Sequence, residues 1–118
     1  MTPTYMQYFD RYQADASAFA VNYDIQHLLT GLFEEAGEVA GILKRVHRGD
    51  PGYPSIADLP KTVEYQNKLA HELGDILWYV ATSAQALGYN LSDIAAMNLT
   101  KLTDRKIRNV IMGSGDDR

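Results

Sequence analysis

The chain has 118 residues, 46% of them hydrophobic, no cysteine and a formal net charge of −4, with an isoelectric point near 5.2. That length suits one domain with a real core and is too short for two. The acidic balance argues against duplex nucleic acid as a partner, and the missing cysteines exclude disulfides, thiolate metal sites and cysteine nucleophiles.

The N-terminal stretch MTPTYMQYFDRY has no apolar signal-type run, and no stretch approaches the roughly 18 apolar residues of a membrane span. A soluble cytoplasmic protein with no membrane partner is the expectation. Thr2 and Pro3 suit a helix start. Tyr5, Tyr8, Phe9, Tyr12 and Phe19 then recur at helical spacing, which reads as a core-facing aromatic stripe. The sharper alternative is that one ring stacks on a ligand base.

Asp24 is placed to cap a second helix running to about Arg48, with Gly49 as its stop. Ile25, Leu29, Leu32, Ala36, Val39, Ala40 and Leu43 define its apolar stripe, with Glu35 at the rim, Glu38 one step further out and Glu34 on the solvent side. Residues 49–60, with two glycines and three prolines, form a loop long enough to arch over a site or touch a neighbour. Asp58 to Pro60 reads as the next helix start.

The third helix is expected from about Pro60 to Leu87, closed by Gly88. Its stripe is Leu69, Leu73, Ile76, Leu77, Val80, Ala84 and Leu87, with Glu72 at the rim, Asp75 further out and Lys68 one turn before Glu72. Trp78 falls near the opposite face beside small residues, which suggests a subunit interface. Asn90 and Asp93 form a capping box for a fourth helix ending near Asn109. On that helix Asn98, Lys101 and Arg105 share one polar stripe. The tail from Ile111 to Arg118 reads as loop. The fold class is therefore all-α, a four-helix bundle-like arrangement in a single domain spanning 1–118.

Two blocks carry the chemistry. Glu35 and Glu38, and again Glu72 and Asp75, are carboxylates three residues apart, about 5–6 Å at Cβ on one helix face. If the two helices lie side by side, four acids converge and need a hard cation, for which oxygen-only ligands favour Mg²⁺ with Mn²⁺ as a substitute. Rival metals fail on residue type. A di-iron bundle needs E-x-x-H pairs, the zincin motif needs a second histidine where Asp75 stands, and no EF-hand loop occurs. A Mg²⁺ held this way keeps open positions for phosphate oxygens, and Lys101 and Arg105 supply a complementary grip on a polyphosphate.

The runs GLFEEAGEVA, ELGDILWY, AMNLTKLTDR and GSGDDR closely resemble the MazG-like all-α nucleotide pyrophosphohydrolases, over about residues 28 to 118. Residues 1–27 match only in being helical and aromatic. The resemblance implies Mg²⁺-dependent hydrolysis of a (d)NTP to (d)NMP and pyrophosphate, a role in nucleotide-pool house-cleaning, and a homodimer or homotetramer (dimer of dimers). It also implies metal ligands at Glu35, Glu38, Glu72 and Asp75, and a general base at Glu35 or Glu38. Substrate contacts are implied at Lys44, Asn98, Lys101, Arg105 and Arg118, the last closing over the site with the Gly113–Gly115 loop. Base choice stays open, with dUTP or an alarmone among the candidates. The competing reading is a non-catalytic helical oligomerisation or partner-binding module with a structural divalent-metal site.

Overall fold

The computed structural model describes residues 4–108. Four α-helices follow in chain order: α1 (Thr4–Ser17), α2 (Ile25–Arg48), α3 (Val63–Ala86) and α4 (Leu91–Ile107), with one 3₁₀ turn at Leu59–Lys61 and no strand among the described residues. The all-α expectation holds. Thr2, Pro3, Gly113–Gly115 and Arg118 lie outside the described residues.

The helix ends follow from local chemistry. Asp24 accepts the His27 N–H at 2.8 Å, so it satisfies one of the donors a helix start leaves open. Gly49 ends α2 at φ 75°, a left-handed conformation that suits glycine. Its N–H reaches the Val46 carbonyl at 3.2 Å, and the Asp50 N–H reaches that of Arg45 at 3.1 Å. The Asn90 N–H donates to Asp93 at 3.0 Å, one half of the expected capping box. The third helix starts later than expected: Pro60 sits in the 3₁₀ turn, Thr62 is extended, and α3 begins at Val63.

The α2–α3 pair is the main packing unit. Leu28, Leu32, Glu35, Val39, Ile42 and Val46 are the buried or half-buried positions at alternating four- and three-residue spacing on α2. On α3, Tyr65, Leu69, Glu72, Ile76, Tyr79 and Ser83 repeat the pattern. The stripe expected on α2 is rotated by about one position. Leu29, Phe33, Ala36, Ala40 and Leu43 are all exposed, Phe33 at 77%. The helix is apolar around more than half its girth, so its hydrophobic direction points between two faces, of which α3 covers one. Leu73 and Leu77 of α3 are exposed for the same reason.

The loop between α2 and α3 folds back on their shared end. Val46, Leu59 and Tyr65 form a small core flanked by Ile42, Tyr53 and Leu69, and the Tyr65 hydroxyl donates to the Gly52 carbonyl at 3.2 Å. At the other end α1 crosses α3. The Trp78 indole N–H donates to the Ala16 carbonyl at 3.0 Å, so the second surface of α3 is covered by α1, and the expected subunit interface at Trp78 is replaced by an intramolecular one.

The aromatic stripe of α1 is also reversed. The helix buries Met6, Gln13 and Ala16, while Tyr5, Tyr8, Phe9 and Phe19 are exposed. The reason lies in what α1 docks against. Ala81, Thr82, Ser83 and Ala84 of α3 present a low surface, and the start of α4 presents backbone donors. The Gln13 amide donates to the Ala81 and Tyr89 carbonyls at 3.0 and 3.1 Å, and its oxygen accepts the Leu91 N–H at 2.9 Å. Asp10 accepts the Ser92 N–H at 2.9 Å and its hydroxyl at 2.7 Å. Polar side chains serve this interface better than rings, so the rings turn outward.

Candidate metal centre

Glu35 and Glu38 stand one turn apart on α2, and Glu72 faces them from α3. One carboxylate oxygen from each lies within 4.8 Å of the other two. Oppositely placed oxygens on a Mg²⁺ ion are about 4.2 Å apart, so small side-chain rotations close the set around a cation. Glu35 and Glu72 are half-buried and Glu38 is exposed. Both half-buried acids occupy positions of the α2–α3 seam that otherwise hold Leu, Val and Ile with Tyr65, Tyr79 and Ser83. At 4.8 Å two carboxylate charges repel by about 3 kcal/mol at an effective dielectric of 20, so the seam is strained without a counter-charge.

Lys68, one turn before Glu72, does not pair with it. Lys68 pairs instead with Glu64 at 3.1 Å and lies over the Tyr65 ring at 4.8 Å. Glu before Lys at this spacing is the better helical orientation, so Lys68 turns to the preceding turn. One oxygen of Glu72 is buried with no hydrogen-bond partner, which is an open ligand position in chemical terms. The Glu35 carboxyl is held above the usual carboxylate range, first by burial, then by the charges of Asp75 and Glu38, then by its contact with Glu72. The donors are all oxygen, and they fit a hard divalent cation.

Asp75 is exposed and falls outside the set of three, although its charge acts on Glu35. Glu34 is exposed and borders a separate cleft with His27 and Thr30, apart from the cluster as expected. Lys44 is exposed on α2, and its charge is felt by Asp50 at the end of that helix. Asn98 and Lys101 border an open groove of about 840 Å³ on α4. Arg105, expected on the polar stripe with Asn98 and Lys101, is 5% exposed. Among the described residues α4 packs on α1 and α3 and does not reach α2. The basic stripe and the Glu35–Glu38–Glu72 cluster therefore sit on separate helix pairs of one chain.

Sequence reasoning missed Tyr79. Its ring passes directly over the α2 backbone at Gly31, where an added Cβ would lie only 2.8 Å from the phenol oxygen and closer still to the ring carbons. The phenol is pushed up by burial, then by Glu35 and Glu34. The available signal was Gly31 itself, a costly residue in a helix interior four positions before Glu35.

The MazG nucleotide pyrophosphohydrolase domain model matches residues 24–109. The chain belongs to that family. It is 42% identical over 94 residues to the Gene 37 protein of Mycobacterium phage L5, covering 80% of this chain and 76% of that protein. No solved structure matches. In this MazG domain the matched segment carries the whole carboxylate cluster, and α1 precedes it.

Proposed function

We propose that this MazG domain is a Mg²⁺-dependent nucleoside triphosphate pyrophosphohydrolase, converting a (d)NTP and water to (d)NMP and pyrophosphate. The observation that carries this reading is the Glu35–Glu38–Glu72 cluster with its orphaned Glu72 oxygen, in a chain of this family. Glu35, Glu38 and Glu72 would hold the cation, with Asp75 one turn along α3 joining them. When bound, the ion neutralises phosphoryl charge and lowers the pKa of a coordinated water. Glu35 and Glu38 hold the attacking water against the phosphoanhydride, and one of them takes its proton. Lys44 meets the phosphates from the same helix.

The remaining contacts, Asn98, Lys101 and Arg118, come from a second copy in a homodimer or homotetramer, while Arg105, buried in its own chain, stays behind that stripe. Two features support this. The α4 stripe does not reach α2 within one chain. The radius of gyration is 17.2 Å, against about 13.5 Å for a compact chain of this length, and large apolar side chains are exposed on α2, α3 and α4.

The test is a nucleotide panel assayed for pyrophosphate with and without Mg²⁺. Release that needs Mg²⁺ and is lost in Glu72→Gln supports the reading. Thermal stabilisation by Mg²⁺ with no turnover on any nucleotide overturns it in favour of a structural metal site.

A further inference from the structure

Three carboxylates surround the candidate cation site, and a triphosphate brings several more negative charges. A divalent ion alone therefore leaves the filled site strongly anionic, and a cationic side chain within reach is worth having. Most cations near the α2–α3 seam are already engaged. Lys68 holds Glu64 at 3.1 Å, and Arg48 holds the two oxygens of Asp50 at 2.7 and 2.6 Å. The α4 stripe does not reach α2 within one chain.

Arg45 is the exception. It is exposed on α2, and among the described residues its guanidinium makes no ion pair and no side-chain hydrogen bond. It does not trail into solvent, however. The side chain folds back along α2 toward the acids, and its Nη1 lies 3.1 Å from where a Cβ on Gly41 would stand. Gly41 is a residue that helix interiors disfavour, and here it leaves an open floor for the guanidinium. At 3.6 residues per turn, Arg45 and Glu38 stand within about 20° of each other round the helix, whereas Lys44 stands about 120° from Glu38. Gly41, where the guanidinium rests, lies about 4.5 Å of helix rise beyond Glu38 and about 9 Å beyond Glu35. Linked phosphoryl groups bridge a gap of that size.

We propose that Arg45 grips the terminal phosphate of the nucleotide, the end that leaves as pyrophosphate. This deepens the pyrophosphohydrolase reading and rests on it. The phosphoryl group under attack sits where the acids converge, and the phosphates beyond it run along α2 toward Gly41. A guanidinium offers parallel N–H donors that match two phosphate oxygens, which an ammonium does not. Arg45 in this place meets the negative charge that builds on the departing pyrophosphate. Lys44, from its position round the helix, adds a weaker contact.

The experiment is calorimetric titration of the full chain by Mg²⁺, and then, with Mg²⁺ present, by inorganic pyrophosphate and by orthophosphate. Wild type is compared with Arg45→Ala, Arg45→Lys and Lys44→Ala, and light scattering records the mass of each. Pyrophosphate is long enough to touch both the metal site and Arg45, and orthophosphate is not. Arg45→Ala should lose about 10- to 100-fold in pyrophosphate affinity, with orthophosphate affinity, Mg²⁺ affinity and mass unchanged. Arg45→Lys should recover part of that loss, and Lys44→Ala should lose about 5-fold or less. Unchanged pyrophosphate affinity in Arg45→Ala overturns the proposal, and so does a larger loss in Lys44→Ala. A matching loss of orthophosphate or Mg²⁺ affinity overturns it too, because Arg45 would then act on the acids rather than on the far phosphate. A fall in mass in Arg45→Ala assigns the side chain to contact with a second copy and likewise overturns it. If wild type binds Mg²⁺ but neither phosphate compound, the functional reading itself fails and takes this proposal with it.

Discussion

Gly31 and Gly37 lie six residues apart in the interior of α2, yet alanine at the two positions should have opposite effects. Replacing an interior helical glycine with alanine removes backbone freedom from the unfolded chain and gains about 1 kcal/mol. At Gly37 nothing lies within 4 Å of the added Cβ, so Gly37→Ala should realise that gain. At Gly31 the Cβ would collide with the Tyr79 ring. The ring is half-buried in the seam and stands edge-on to Trp78 at 4.9 Å, so it cannot simply swing away. Overpacking of this kind costs about 1–3 kcal/mol. Gly31→Ala should therefore come out between neutral and about 2 kcal/mol destabilising after the propensity gain is subtracted. Urea unfolding followed by circular dichroism measures both. The decisive arm is a double-mutant cycle: in a Tyr79→Ala background, Gly31→Ala should become stabilising, like Gly37→Ala. If Gly31→Ala already stabilises the otherwise wild-type chain, Tyr79 does not pass over α2 at that point and the argument is wrong.

Further outcomes are expected elsewhere in the molecule. Glu35 is protonated more readily in the folded chain than in the unfolded one, so its contribution to stability is complete below its ordinary pKa of 4.5 and is lost as pH rises through the elevated folded value. In EDTA the melting temperature should fall over that window, Glu35→Gln should flatten the fall, and Mg²⁺ should reverse it; a flat profile in EDTA would refute the strained seam. Gln13→Leu removes three hydrogen bonds and strands the buried Leu91 N–H, at a cost of about 1–3 kcal/mol for the unsatisfied group, measurable by the same urea titration. Phe33 is 77% exposed on the uncovered face of α2, so Phe33→Glu should leave the helix content intact and lower the mass seen by light scattering; an unchanged mass rules that face out as a subunit contact.

The parts of this structure that were legible in the sequence are those decided by neighbours in the chain. Asp24, Gly49, Asn90 with Asp93, and the two acidic blocks act within a turn of themselves, and the helices begin and end close to where those residues placed them. What was not legible depended on which of two apolar faces a neighbouring helix would choose. The stripe on α2 was offset, yet Glu35 and Glu72, read at the rim, are the two half-buried acids, and Glu38 and Asp75, read further out, are exposed. Trp78 and the α1 rings exchanged roles for a related reason: the α1–α3 contact is made by small and polar groups, which periodicity of apolar residues does not register. Lys68 had an acid one turn away in both directions, and the better-oriented Glu64 took it. The candidate site was visible as a residue pattern, and so was the split between rim and outer acids, while the placing of Glu38 within the set and of Asp75 outside it needed coordinates.

Asp10 and Gln13 fasten the beginning of α4 to one side of α1, and the aromatic rings line the other side. The first helix is thus shared by two surfaces. Any displacement of α1 would carry the root of the last helix with it, because four hydrogen bonds tie two of its side chains there. The placement of α4 against the rest of the chain is therefore set in part by fourteen residues that precede the segment this chain shares with its family.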